Sequence, residues 1–185
     1  MQIKWIPTFL IFTVSLSILG GIALAQQDRY TLKIPGGLAF SEFRGYEAWQ
    51  DVAPSVTEGS IKSILANPTM MNAYKAGIPG NGKDFPDGSR IVKIEWTKKK
   101  SAVSPYPVEV PDNLKSLSFI VKDTKRFPDT HGWGYATFEY DAVSSTFTPA
   151  TEASKPPQGH DAKCGAACHN LAASKDYIFT PYAKR

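Results

Sequence analysis

The chain has 185 residues, with 21 basic against 17 acidic side chains, a formal charge of +4 at neutral pH, two cysteines and three histidines. That length fits one domain of ordinary size. The basic excess is mild, its only run is Lys98-Lys99-Lys100, and no nucleic-acid motif accompanies it, so it bears on solubility and sets nucleic acid aside as a partner.

Met1-Gln2-Ile3-Lys4 carries one positive charge, an apolar run follows from Trp5 through Leu19, and Ala23-Leu24-Ala25 is an A-x-A cleavage site. This is the pattern of a secretory signal peptide cut before Gln26, and the apolar run is short for an uncleaved bilayer anchor. The expected domain is therefore residues 26–185, delivered to a bacterial periplasm with no membrane segment left after cleavage.

Leu32 to Gly37 reads as a lead-in. From Ser41, a candidate N-cap, Phe43, Tyr46 and Trp49 recur at helical spacing and predict an amphipathic helix ending at Pro54. Ser60 to Ala66 is ambiguous between strand and helix by period alone. Asn67 as cap, Pro68 at the first helical position and Gly77 as stop predict a short helix over 68–76. Its Met70 and Met71 read as core filling, although thioethers also bind iron.

Phe85-Pro86-Asp87-Gly88 is a turn signature. The strand after it puts Val92, Ile94 and Trp96 on one face and Ile91, Lys93 and Glu95 on the other. Taken alone, Lys93 reads as an exposed strand lysine. Lys98 to Lys100 reads as a solvated loop, and an acidic redox partner is one docking option for it. A second strand is predicted around Leu117 to Lys122 and a third over Tyr135 to Tyr140, separated by a polar loop holding His131. Short strands joined by turns argue for an antiparallel sheet.

Thr148 to Lys163 has no periodicity and reads as a connector, with His160 in it. It delivers Cys164-Gly165-Ala166-Ala167-Cys168-His169. Two thiols followed directly by an imidazole are what covalent haem attachment needs: the thiols add to the vinyl groups and the imidazole binds iron from one face. The usual spacing has two residues between the cysteines, and here there are three. Gly165 is the residue expected to absorb the extra one at the loop end of the following helix, through unusual dihedrals. A tight disulfide between Cys164 and Cys168 and a three-ligand metal site are the competing readings. A short helix from about Ala166 to Ser174 would carry His169.

Several segments together resemble one family, the cytochrome P460 proteins, which include the beta-type cytochromes c-prime. They are Asn67-Pro68 leading to Tyr74, Phe85-Pro86-Asp87-Gly88 before Ile91-Val92-Lys93, Val121-Lys122-Asp123 with Arg126-Phe127, Gly132-Trp133, and Ala166-Ala167-Cys168-His169 followed by Asp176-Tyr177-Ile178-Phe179-Thr180. The resemblance implies an α+β fold, mainly antiparallel β-sheet with a few flanking helices. It implies one covalent c-type haem held by Cys164 and Cys168, His169 as the proximal iron ligand, and often a homodimer. The family's ring-bonded lysine falls on Lys93, so the resemblance implies a lysine-crosslinked P460 haem.

In this family the members called cytochrome P460 oxidise hydroxylamine to nitrous oxide or other nitrogen oxides at an iron face left open, while their c-prime relatives bind nitric oxide or carbon monoxide. For this chain the enzyme reading expects a soluble redox partner such as another cytochrome c. One departure concerns the acid that hydroxylamine-oxidising members place four residues before the lysine matching Lys122. This chain has Ser118 there. Glu95 and Glu139, each on the more polar face of its strand, are the substitutes. An electron-transfer cytochrome, with His131, His160, Met70 or Met71 on the second face of the iron, is the third reading.

Overall fold

The computed structural model describes residues 26–154 and 161–185, so the expected signal peptide and His160 lie outside the described residues. Six strands form one sheet in chain order: β1 (Gln50–Val56), β2 (Ile61–Ala66), β3 (Arg90–Lys100), β4 (Glu109–Lys122), β5 (Trp133–Asp141) and β6 (Thr146–Pro149). Every neighbouring pair is antiparallel, as the alternating patterns and short connections require. Helix α1 (Pro68–Lys75) links β2 to β3, and α2 (Ala162–His169) follows β6.

Helix α1 begins where the sequence places it. Asn67 accepts a hydrogen bond from the Met70 amide at 3.1 Å and Pro68 occupies the first turn. The same Asn67 oxygen accepts from the Arg90 amide at 3.0 Å, and its amide group donates to the Gly88 carbonyl at 2.9 Å. The cap therefore ties the helix to the start of β3, which carries Lys93.

The sheet has two covered faces. On one, Val92, Phe119 and Ala136 are successive cross-strand partners. They join Phe40, Phe43, Phe138 and Phe147 in a fully buried cluster, with Phe43 stacked on Phe119 at 4.2 Å. On the other, Ala66, Ile91, Ile120 and Tyr135 form one cross-strand row, and Ile64, Lys93, Ser118 and Thr137 form the next. Part of this second face packs on α1 through Met70 and Met71, and the rest faces α2 and the C-terminal segment.

Four expectations are corrected. The helix expected from Ser41 is instead two 3-10 turns, Phe40–Phe43 and Tyr46–Ala48, separated by Gly45 at φ 82°, and Pro54 lies inside β1. A spacing of three suits a 3-10 turn as well as an α-helix, and the edge position of β1 tolerates proline. Lys98 to Lys100 is not a loop but the end of β3, paired with Glu109 to Pro111, with Lys98 on Glu109 and Lys99 on Asp112, each at 2.7 Å. Part of the expected connector is β6, whose four residues are too few to show a period. Helix α2 starts at Ala162, earlier than expected, because Asp161 caps it by accepting from the Cys164 amide at 2.7 Å.

Candidate haem site

Between the second sheet face and α2 lies a cavity of about 430 Å³, walled by Lys93, Ser118 and Thr137 from the strands and by Cys164, Cys168 and His169 from the helix. Ile64, Ile91, Ile120, Ile178 and Phe179 make the remaining wall largely apolar. A volume of that order falls within the roughly 300–1,000 Å³ of cofactor clefts.

Cys164 and Cys168 are free thiols one helical turn apart, so they emerge from the same side of α2. Gly165 sits between them inside the helix and not at its loop end, which corrects the role expected for it. A Cβ built there would lie 2.2 Å from Cγ of Tyr135, so glycine is required for the helix to lie against β5. The extra residue between the cysteines is absorbed as regular helix. Among the described residues no group of three or more His, Cys, Asp and Glu side chains is arranged to hold a metal ion.

His169 closes α2. Its Nδ1 lies 2.6 Å from the Tyr177 carbonyl, and a carbonyl can only accept, so Nδ1 carries the proton and Nε2 keeps its lone pair. Tyr135 and Phe179 pack against the ring, each with centroids 4.8 Å away. Burial pushes the imidazole below its ordinary pKa, and the Lys93 charge adds to this while the Tyr177 hydrogen bond opposes it. The neutral, oriented imidazole is the form that binds iron.

Lys93 enters the same cavity with its side chain 24 % exposed, so it is not the solvated lysine that its strand pattern alone suggests. Burial lowers its pKa, Glu95 and Cys168 act in the opposite direction, and the Lys62 and Lys115 charges lower it further. Glu95 lies beside it, with Oε2 3.9 Å from Nζ, and also pairs with Lys115 at 3.1 Å. Burial raises the Glu95 pKa, but hydrogen bonds from Lys115 and Ser60 and the Lys93 and Lys115 charges outweigh it and leave it lowered.

Of the two candidate acids, Glu139 is exposed and Glu95 sits next to Lys93 without lining the cavity. At Ser118 the wall is hydroxylic: Thr137 Oγ1 donates to Ser118 Oγ at 3.0 Å. Thr137 was not singled out from the sequence, although alternation puts it on the polar face of β5, because only the strand register brings it to Ser118 and Lys93. Met70 and Met71 are buried in the core, and His131 is exposed with its ring stacked on Tyr177 at 4.3 Å; none of the three lines the cavity.

A match to the cytochrome P460 family spans residues 43–180. The chain belongs to the cytochrome P460 family. It is accordingly a haem protein, and the α+β fold with its antiparallel sheet is the one that the resemblance implied. P460 proteins are generally extracytoplasmic, and no helix of the described residues is long and apolar enough to cross a membrane. Comparison with the curated proteins gives no match.

The donor set fits the family's haem. Two free thiols share one helix face, a neutral imidazole has one ring nitrogen engaged and the other left to coordinate, and apolar side chains line the space between. These residues would hold the group, with Cys164 and Cys168 as sites of attachment and His169 as the axial ligand.

Proposed function

We propose that this is a periplasmic mono-haem cytochrome of the P460 type, with haem c bonded to Cys164 and Cys168, His169 as the axial ligand and Lys93 joined to the porphyrin edge, and that it oxidises hydroxylamine. The observation carrying the reading is the entry of Lys93 into the cavity that the two cysteines and His169 line. Partial burial favours the neutral amine, which is a nucleophile. Its bond to a ring carbon displaces that carbon's hydrogen and releases two protons and two electrons, so the step requires a two-electron oxidant such as a peroxide. The bound haem supplies the redox centre and an open coordination position for a small nitrogenous molecule.

Two hydroxylamine molecules give one nitrous oxide and one water, with four protons and four electrons released. The electrons require a soluble one-electron acceptor such as another cytochrome c. The protons require a base, and the candidate is the Glu95 carboxylate, whose Oε2 lies 3.9 Å from Lys93 Nζ just outside the cavity lining.

A second reading, a nitric oxide binding protein, is favoured by a specific observation: Ser118 with Thr137 stands where an acid would serve, and among the described residues no carboxylate lines the cavity. Lys93→Ala separates the two. The variant is expected to retain thioether-bound haem by denaturing mass spectrometry, to lose a red-shifted ferrous Soret band, and to lose hydroxylamine oxidation with an artificial oxidant while still binding nitric oxide. A parent protein that never turns over hydroxylamine but binds nitric oxide establishes the second reading. A mature chain lighter by two hydrogens and lacking haem returns Cys164 and Cys168 to a disulfide.

A further inference from the structure

Next in the chain to Tyr177, whose carbonyl meets His169, Asp176 belongs to a buried ion pair that the proposed chemistry does not use. Lys122 Nζ is 2.8 Å from Asp176 Oδ1, with the two side chains 4 % and 2 % exposed. Asp176 Oδ1 accepts from Trp133 Nε1 at 3.1 Å, its Oδ2 accepts from the Phe85 amide at 2.8 Å, and Lys122 donates to the His131 carbonyl at 3.1 Å. The lysine also lies over the Trp133 ring, 4.8 Å from its centre.

Burying such a pair is costly unless geometry and extra hydrogen bonds compensate, so its position calls for a reason. Asp176 and Tyr177 are consecutive non-glycine residues in the left-handed region, at φ 47° and 62°. Such backbone persists where its surroundings over-determine it. The three hydrogen bonds on the Asp176 carboxylate do that on one side, and stacking of Tyr177 on His131 does it on the other. The turn they fix presents the Tyr177 carbonyl to His169 Nδ1 at 2.6 Å.

We propose that Lys122 and Asp176 are positioning residues for His169: their ion pair holds the Asp176-Tyr177 turn, and through the Tyr177 carbonyl it sets the orientation and electron donation of the axial imidazole. This rests on the reading of His169 as the axial ligand. A hydrogen bond on the outer nitrogen raises the basicity of the ligand, which favours the ferric state and keeps the reduction potential low.

Haem-loaded Lys122→Met and Asp176→Asn are compared with the parent by redox titration and by resonance Raman spectroscopy of the ferrous iron–histidine stretch. Both variants are expected to raise the potential and lower the stretching frequency, and Lys122→Arg is expected to restore both toward the parent. Trp133→Phe, which removes one hydrogen bond to Asp176 and keeps a ring, gives a smaller shift in the same direction and serves if the other two do not fold. Phe138→Ala, in the opposite core, is expected to lower the melting temperature while leaving the potential and the band in place.

If Lys122→Met or Trp133→Phe loads haem with unchanged potential and frequency, the proposal is overturned, and the pair contributes only to stability. If Phe138→Ala moves both observables as far as Lys122→Met does, it is overturned as well, because general destabilisation then accounts for the shift. Failure of the underlying reading looks different: His169→Ala would leave the parent's iron–histidine band in place.

Discussion

The two faces of one sheet solve opposite problems with the same strands. Phe119 and Ser118 are neighbours on β4, yet the first sits at 0 % exposure among Phe40, Phe43 and Phe138, and the second lines the cavity beside Lys93 and Thr137. The closed face is aromatic and interlocked, with Phe40 edge-on to Phe119 at 5.0 Å and Phe43 stacked on it. The open face carries a lysine and two hydroxyls in a row that a self-sufficient core would fill with aliphatic side chains. Stability is concentrated on one side so that the other can hold a large group and polar side chains near it.

That division predicts unequal losses. Phe119→Ala removes a buried ring packed on Phe40, Phe43, Tyr46 and Phe138 and should cost about 3–5 kcal/mol, read as a lower urea midpoint at unchanged slope. Loss of little or no stability would mean that the closed face does not carry the fold. Gly165→Ala forces a Cβ to 2.2 Å from the Tyr135 ring, so α2 must move off β5. An overpacking cost of about 1–3 kcal/mol is expected, together with incomplete haem attachment by mass spectrometry.

Lys93 sharpens the contrast through pH. Its folded pKa is lowered chiefly by burial, so the unfolded chain binds the extra proton between that value and the ordinary lysine pKa of about 10.4. Wherever the unfolded state binds more protons, stability rises with pH. In the haem-free chain, stability should therefore climb as pH rises through that window, and Lys93→Met should flatten the climb and be the more stable form at neutral pH. A parallel pair of pH profiles would show that the ammonium is not buried at a cost. If the proposed bond between Lys93 and the ring forms, the amine no longer titrates as an ammonium, and the slope should disappear from the holoprotein.

The smallest effect is expected far from both faces. Lys98→Ala deletes a partly exposed pair with Glu109 at the end of the β3–β4 hairpin, where solvent screens the attraction. A change below about 1 kcal/mol in thermal unfolding is expected, fading with added salt.

Much of this protein is legible in its sequence where the signal is local. Alternation places Lys93 opposite Val92 and Ile94, Asn67-Pro68 starts α1, and the spacing of two cysteines and a histidine puts them on one short helix, because each depends on residues within a few positions of one another. Tertiary structure decides what depends on distant partners. A spacing of three cannot separate a 3-10 turn from a helix, so the aromatic segment before β1 waits on Gly45 and on the core that it covers. Gly165 looks like a loop residue until the Tyr135 ring occupies the place of its side chain. Glu95 and Glu139 have equal claims by pattern, and the fold leaves one beside Lys93 and the other in solvent. Lys122 and Asp176 are far apart in the chain, and only the docking of the segment after α2 against β4 and β5 brings their charges together, since burial and long-range pairing are properties of the packed chain and not of any window of residues.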